Sequence, residues 1–104
     1  MIQNSNIKII VHVDAELEDI VPGFMENRRK DIKSILEALK GGDYETIRIL
    51  GHSMKGSGGG YGFDAITEIG ASLEQSAKDK NTENIRKKVD ELSTYLENVE
   101  VKYE

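Results

Sequence analysis

Cysteine and tryptophan are absent from this 104-residue chain, and proline occurs once. Without cysteine there can be no disulfide scaffold, no thiolate metal site and no cysteine nucleophile. Only His12 and His52 remain as imidazoles, and their wide separation is not metal-ligand spacing, so no metal site is expected. Long apolar runs are also missing. None approaches the ~18 residues that span a bilayer, and the opening MIQNSNIKIIVHV lacks a basic leader followed by an apolar core, so a cytoplasmic location with no membrane contact is expected. Positive charge is scarce as well: 14 Lys and Arg against 19 Asp and Glu leave a net charge of -5. That balance argues against nucleic-acid binding driven by counterion release.

What the chain has is helical periodicity from residue 15 onward. Asp14 reads as the N-cap of a short first helix, AELEDIV, with Glu16, Glu18 and Asp19 near its positive end, until Pro22-Gly23 interrupts or redirects it. From Phe24 the apolar positions Ile32, Ile35, Leu36 and Leu39 follow a 3.6 period, Arg28, Arg29, Lys30 and Lys33 lie largely off that stripe, and Gly41-Gly42 stops the helix. Asp43 caps a helix from Tyr44 carrying Ile47, Leu50 and Met54. A further helix runs from Phe63 to about Lys78. The last follows Asn81 or Thr82 with Ile85, Val89, Leu92, Leu96 and Val99 as its seam. The fold expected is all-α: an antiparallel four-helix bundle over residues 14–104, preceded by an extended segment over 1–13. In that segment Ile7, Ile9, Val11 and Val13 alternate like a strand with no partner in view. It could lie on the bundle, pair with a second copy, or fray.

Ten glycines are present, and six of them crowd into Gly51–Gly62. On a helical wheel Leu50, Gly51, Met54, Gly58 and Tyr61 fall near Ile47, whereas His52 lies about 140° round, facing away from the core. Its outer-face neighbours are Arg48, Lys55, Gly56 and Gly59. Glycine disfavours a helix by about 0.5–1 kcal/mol per residue relative to alanine, so the crowding calls for a reason. Either Gly56 and Gly59 clear the surface around His52, or residues 56–62 form a flexible loop. A phosphate-cradling loop fails on spacing, because neither GxxxxGK[ST] nor GxGxxG fits. Ser53, His52 and Asp64 cannot form a hydrolytic triad, since adjacent helical residues diverge by about 100°. The abundant acidic residues read as solvated faces.

His52-Ser53-Met54-Lys55-Gly56, followed by Gly62 ten positions after the histidine and by Leu73-Glu74, resembles the histidine phosphotransfer (HPt) domains of bacterial phosphorelays. Their pattern is His-x-hydrophobic-Lys-Gly, a glycine at +10 and a hydrophobic-Glu pair near +21. Gly51 departs from the alanine common before the histidine. The resemblance covers about residues 15–100 and implies a helical bundle that exposes one phosphorylatable histidine and has no kinase activity of its own. His52 would accept a phosphoryl group from a receiver-domain aspartyl phosphate and pass it to another receiver. Lys55 would offset charge on the phosphoryl oxygens, and Gly56 and Gly59 would leave room for in-line approach. Arg48 and Ile49 are candidate docking residues, the alternatives being a solvated Arg48 and an Ile49 that contacts the first helix or the N-terminal segment. Mg²⁺ would come with the receiver, no carboxylate cluster being foreseen beside His52. The partners implied are response-regulator receiver domains, with a hybrid histidine kinase as a further candidate, and the chain is expected to be a monomer. Other readings are an adaptor that binds a receiver or kinase without transfer and, more remotely, a phosphatase acting on a phosphorylated partner.

Overall fold

The structure, a computed structural model, describes residues 8–104. Ile7, read as part of the opening strand, lies outside the described residues. Strand β1 (Ile9–Val13) leads through a single 3-10 turn (Ala15–Leu17) into four helices: α1 (Val21–Lys40), α2 (Tyr44–Gly58), α3 (Asp64–Lys78) and α4 (Thr82–Asn98). The chain ends in strand β2 (Val99–Tyr103), and a second 3-10 turn (Gly59–Tyr61) extends α2. The bundle expected from the periodicity is present.

Local chemistry sets the boundaries. Asp43 caps α2, its carboxylate accepting from the Thr46 backbone N–H at 3.1 Å and the Thr46 hydroxyl at 2.6 Å. Asn81 caps α4 by accepting from the Asn84 N–H at 3.1 Å. Asp14 does cap, accepting from the Glu16 N–H at 2.9 Å, but what it starts is the 3-10 turn, not a helix through residue 21. Pro22 does not interrupt a helix; it sits in the first turn of α1, where its missing N–H has no partner to lose and its fixed φ suits helix entry.

The core joins all four helices through fully buried Ile35, Ile47, Met54, Ile66, Leu73, Ile85 and Leu92, with Phe63 among them. Two readings of α1 need correction. Leu36 is exposed, and Arg28 is buried, its guanidinium 4.8 Å from the Phe24 ring centroid and its Nε 2.8 Å from Asp31. From there Arg28 donates to the Ser57 hydroxyl at 3.3 Å, tying α1 to the far end of α2. Burial beside this pair raises the Asp31 carboxyl above its ordinary pKa, although the guanidinium opposes the shift.

The opening strand does have a partner, and it is the chain's own C-terminus. β1 and β2 form a parallel two-stranded sheet in the register Ile9↔Val99 to Val13↔Tyr103. Val99 thus begins a strand instead of ending the α4 seam. Ile9, Val11, Val99, Val101 and Tyr103 pack against the core, and Val13 is buried in it. The turn between α2 and α3 is held against this strand. Gly62 has φ +91°, a left-handed conformation that disfavours a side chain, and a Cβ there would lie 3.6 Å from the His12 carbonyl.

The tightest packing is between α2 and α3. A Cβ on Gly51 would meet the Glu74 backbone nitrogen at 2.7 Å and the Gly70 carbonyl at 2.8 Å, and one on Gly70 would meet the Lys55 backbone nitrogen at 2.6 Å. Gly58 repeats the arrangement against Thr67. By contrast, a Cβ on Gly56 would meet nothing within 4 Å. Chemical denaturation should therefore separate these glycines. Gly70→Ala is expected to destabilise by about 1–3 kcal/mol through forced helix separation, whereas Gly56→Ala should stabilise by about 0.5–1 kcal/mol through helix propensity.

Candidate functional site

The helix α2 carries His52 on its outer face, as the wheel requires, with 65% of the side chain exposed. The glycine-rich stretch continues as helix to Gly58 and then as a 3-10 turn, so it is not a flexible loop. Gly56 leaves open space one turn from the histidine. Gly59 is placed differently. It is the α2 C-cap, its N–H donates to the Thr67 hydroxyl at 2.7 Å, and a Cβ there would make ordinary contacts with Thr67 and Asp64.

A carboxylate that the sequence reading left without a role completes the site. Glu74 comes from α3, and its side chain is only 10% exposed; the solvated face expected of acidic residues does not apply to it. One oxygen lies 3.0 Å from His52 Nδ1 and the other 2.8 Å from Lys55 Nζ. The sequence signals for it are the Leu73-Glu74 pair of the family pattern, which came without a role, and its position four residues after Gly70 on the same helix face. The ammonium of Lys55, by its hydrogen bond, holds the Glu74 carboxyl below its ordinary pKa. Burial pulls the other way, and the hydrogen bond to His52 adds to the lowering.

An ionised carboxylate can only accept a hydrogen bond. A hydrogen bond between them therefore needs a proton on His52 Nδ1, and in the neutral form of such a ring the lone pair is on Nε2. A neutral imidazole nitrogen of this kind is a nucleophile near pH 7 without a separate base.

The two cations read beside His52 are both partnered. Lys55 holds Glu74, and Arg48 grips Glu45 through Nε at 3.0 Å and Nη2 at 2.5 Å. Ile49 is 52% exposed. His12 is remote from this cluster, pairing instead with Glu104 at 2.6 Å on the sheet. Ser53 makes no side-chain hydrogen bond to His52, while its carbonyl accepts from the Ser57 hydroxyl at 3.0 Å. Among the described residues no group of three or more His, Asp and Glu could hold a metal ion, and no helix is long and apolar enough to cross a membrane.

A family model described as Hpt domain matches residues 19–102 of the chain. No curated protein and no solved structure matches it.

The Glu74 bridge makes a pH-dependent prediction. A carboxyl whose folded pKa is depressed stabilises the fold above its unfolded value, about 4.3, and that contribution disappears as pH falls through the lower folded value. Thermal melts should accordingly show wild type losing its advantage over Glu74→Gln below about pH 4. At neutral pH, ¹H–¹⁵N spectra should report the Nδ1–H tautomer of His52 in wild type and a mixture in Glu74→Gln; identical tautomers would contradict the assigned role.

Proposed function

The chain belongs to the Hpt domain family, and from that premise we propose that it is a phosphorelay intermediate working through His52. Hpt domains take part in two-component phosphorelays as phosphocarriers rather than kinases, and their partners are receiver domains and kinases of those systems. The finer reading is that His52 takes its phosphoryl group from one receiver-domain aspartyl phosphate and delivers it to another, in the cytoplasm. A hybrid histidine kinase is a candidate source of the first receiver.

The observation that carries this reading is the opposite treatment of the two imidazole nitrogens. Nδ1 is held by Glu74 at 3.0 Å while the ring is otherwise open to solvent. In the forward step the Nε2 lone pair attacks phosphorus, the bond from phosphorus to the aspartyl oxygen breaks, and the receiver's carboxylate leaves with the electron pair. The ring then bears a phosphoryl group on Nε2 and a proton on Nδ1, which makes it formally cationic. Glu74 stands where it offsets that charge, as a carboxylate does for an imidazolium in hydrolytic sites. Reversal of the same step on a second receiver returns the ring to neutrality.

Lys55 is a positioning residue for Glu74 and, one turn from His52, is also within reach of phosphoryl oxygens. Its ammonium can serve both anions because each needs only part of its three donors. Mg²⁺ is assigned to the receiver's acidic pocket. Exposed Ile49, with Arg48 one residue away, supplies the apolar and charged contacts for docking. Gly56 gives the incoming aspartyl phosphate its line of approach.

Incubation with a phosphorylated receiver should label the wild type with an acid-labile, base-stable phosphate, and His52→Gln should abolish the label; label retained in the variant would refute the assignment. A protein that binds receivers but never takes label would be an adaptor instead. Gly56→Leu should keep wild-type helicity yet transfer roughly tenfold more slowly or worse, because a branched side chain obstructs the approach to Nε2.

A further inference from the structure

The sheet has two members only, so each strand has one side without a strand neighbour among the described residues. The ladder fixes which backbone groups face that open side. Glu104 donates its N–H to the Val13 carbonyl at 2.9 Å and accepts from the Ala15 N–H at 3.0 Å. Both of its groups therefore point at β1. In a parallel pair the direction alternates along the strand, which turns the N–H and carbonyl of Val101 and Tyr103 outward. Among the described residues no backbone hydrogen bond outside the ladder reaches them. Isolated two-stranded sheets are marginal, and an open edge is a template for another strand.

The sequence of β2 is self-complementary about its middle residue. Glu100 and Lys102 flank Val101 on one face of the strand, and Val99 and Tyr103 lie beyond them on the other. We propose that β2 pairs antiparallel with β2 of a second copy of this chain about a two-fold axis at Val101. The product is a continuous four-stranded sheet in the order β1-β2-β2-β1. Only a centre on an outward-facing residue brings free N–H and carbonyl groups together. A centre on Val101 overlaps all five residues and sets Glu100 opposite Lys102 of the other copy twice. A centre on Glu100 or Lys102 would instead oppose like charges and present backbone groups already bonded to β1.

The other edge does not fit a second copy in this way. Pairing β1 about Ile10 would set Lys8 against His12 with no acidic residue on the strand, and Gly62 lies close to the His12 carbonyl on that side. Lysine on an edge strand ordinarily discourages pairing; here Glu100 two positions away converts it into a selector of one register. The in-chain pairs of Glu100 with Lys8 at 3.5 Å and with Lys102 at 3.0 Å are solvent-exposed, and such pairs contribute little, so they yield readily to a cross-copy arrangement. In this proposal the monomer expected from the sequence gives way to a dimer, and nothing in the argument depends on phosphotransfer.

Sedimentation of the full chain from ~10 μM to ~1 mM tests it across the affinity range of small symmetric interfaces. The mass should rise toward twice that of the chain. Val101→Pro removes an N–H that points away from β1, so it should keep wild-type helicity and remain monomeric. Lys102→Glu should raise the dimer Kd by roughly tenfold or more, and adding Glu100→Lys should restore pairing by exchanging the two signs. Wild type that stays monomeric throughout would leave the edge to a foreign strand and overturn the proposal. So would a Lys102→Glu protein that dimerises with the wild-type Kd, a result that stands even if Val101→Pro fails to fold.

Discussion

The structure depends on how closely α2 approaches α3, and that distance is set by the absence of two Cβ atoms. Methyl groups on Gly51 and Gly70 would each fall within 2.8 Å of backbone atoms of the opposite helix, closer than real Cβ contacts allow. Helices with ordinary side chains at a crossing pack 8–10 Å apart, and small residues let backbones come nearer. The backbone atoms pressed together include the nitrogens of Glu74 and Lys55, the two residues whose side chains then meet at 2.8 Å. A short glutamate side chain from α3 can therefore bridge two residues of α2 that stand one helical turn apart. Widening the crossing by a methyl group would leave that carboxylate reaching for one of them at most.

Much of this was legible in the sequence, because helical geometry is local. The wheel placed Gly51 and Gly58 inward and His52 outward, and Asp43 and Asn81 announced the starts of α2 and α4. Two features were not legible. Glu74 was visible only as half of the Leu73-Glu74 pair, without a role, since its orientation toward His52 and Lys55 depends on the approach of another helix and on Gly70. Arg28 was hidden for a related reason: it sits beside the apolar stripe of α1 and is buried only because Ser57, Asp31 and the Phe24 ring receive it.

The sheet escaped the sequence reading through non-locality. VEVKY alternates as a strand should, yet Val99 also continues the α4 seam, and nothing local decides between the two periods. The decision comes from β1, most of the chain away in sequence, whose paired backbone offers Val99–Tyr103 the partners that a further turn of helix would have supplied internally. A parallel pair requires a crossover connection, and here all four helices form it. The sheet in turn steadies the turn after the site helix, because Gly62 can rest on His12 and Val13 only in its left-handed conformation.

Glycine thus acts in two opposite ways within one turn of His52. Inside, the missing side chains at Gly51 and Gly70 let α3 come close enough for the Glu74 carboxylate to stand 3.0 Å from Nδ1. Outside, a side chain is missing at Gly56, one turn from His52, where a Cβ would meet nothing within 4 Å. Neither use would suffice alone. For the proposed phosphorelay role, an exposed imidazole without the carboxylate would divide between tautomers and offer each nitrogen part of the time, and an oriented imidazole behind a bulky neighbour would be inaccessible to a receiver. In the proposed phosphorelay role, the helix propensity sacrificed at these positions, about 0.5–1 kcal/mol for each glycine, serves both orientation and access at a single ring.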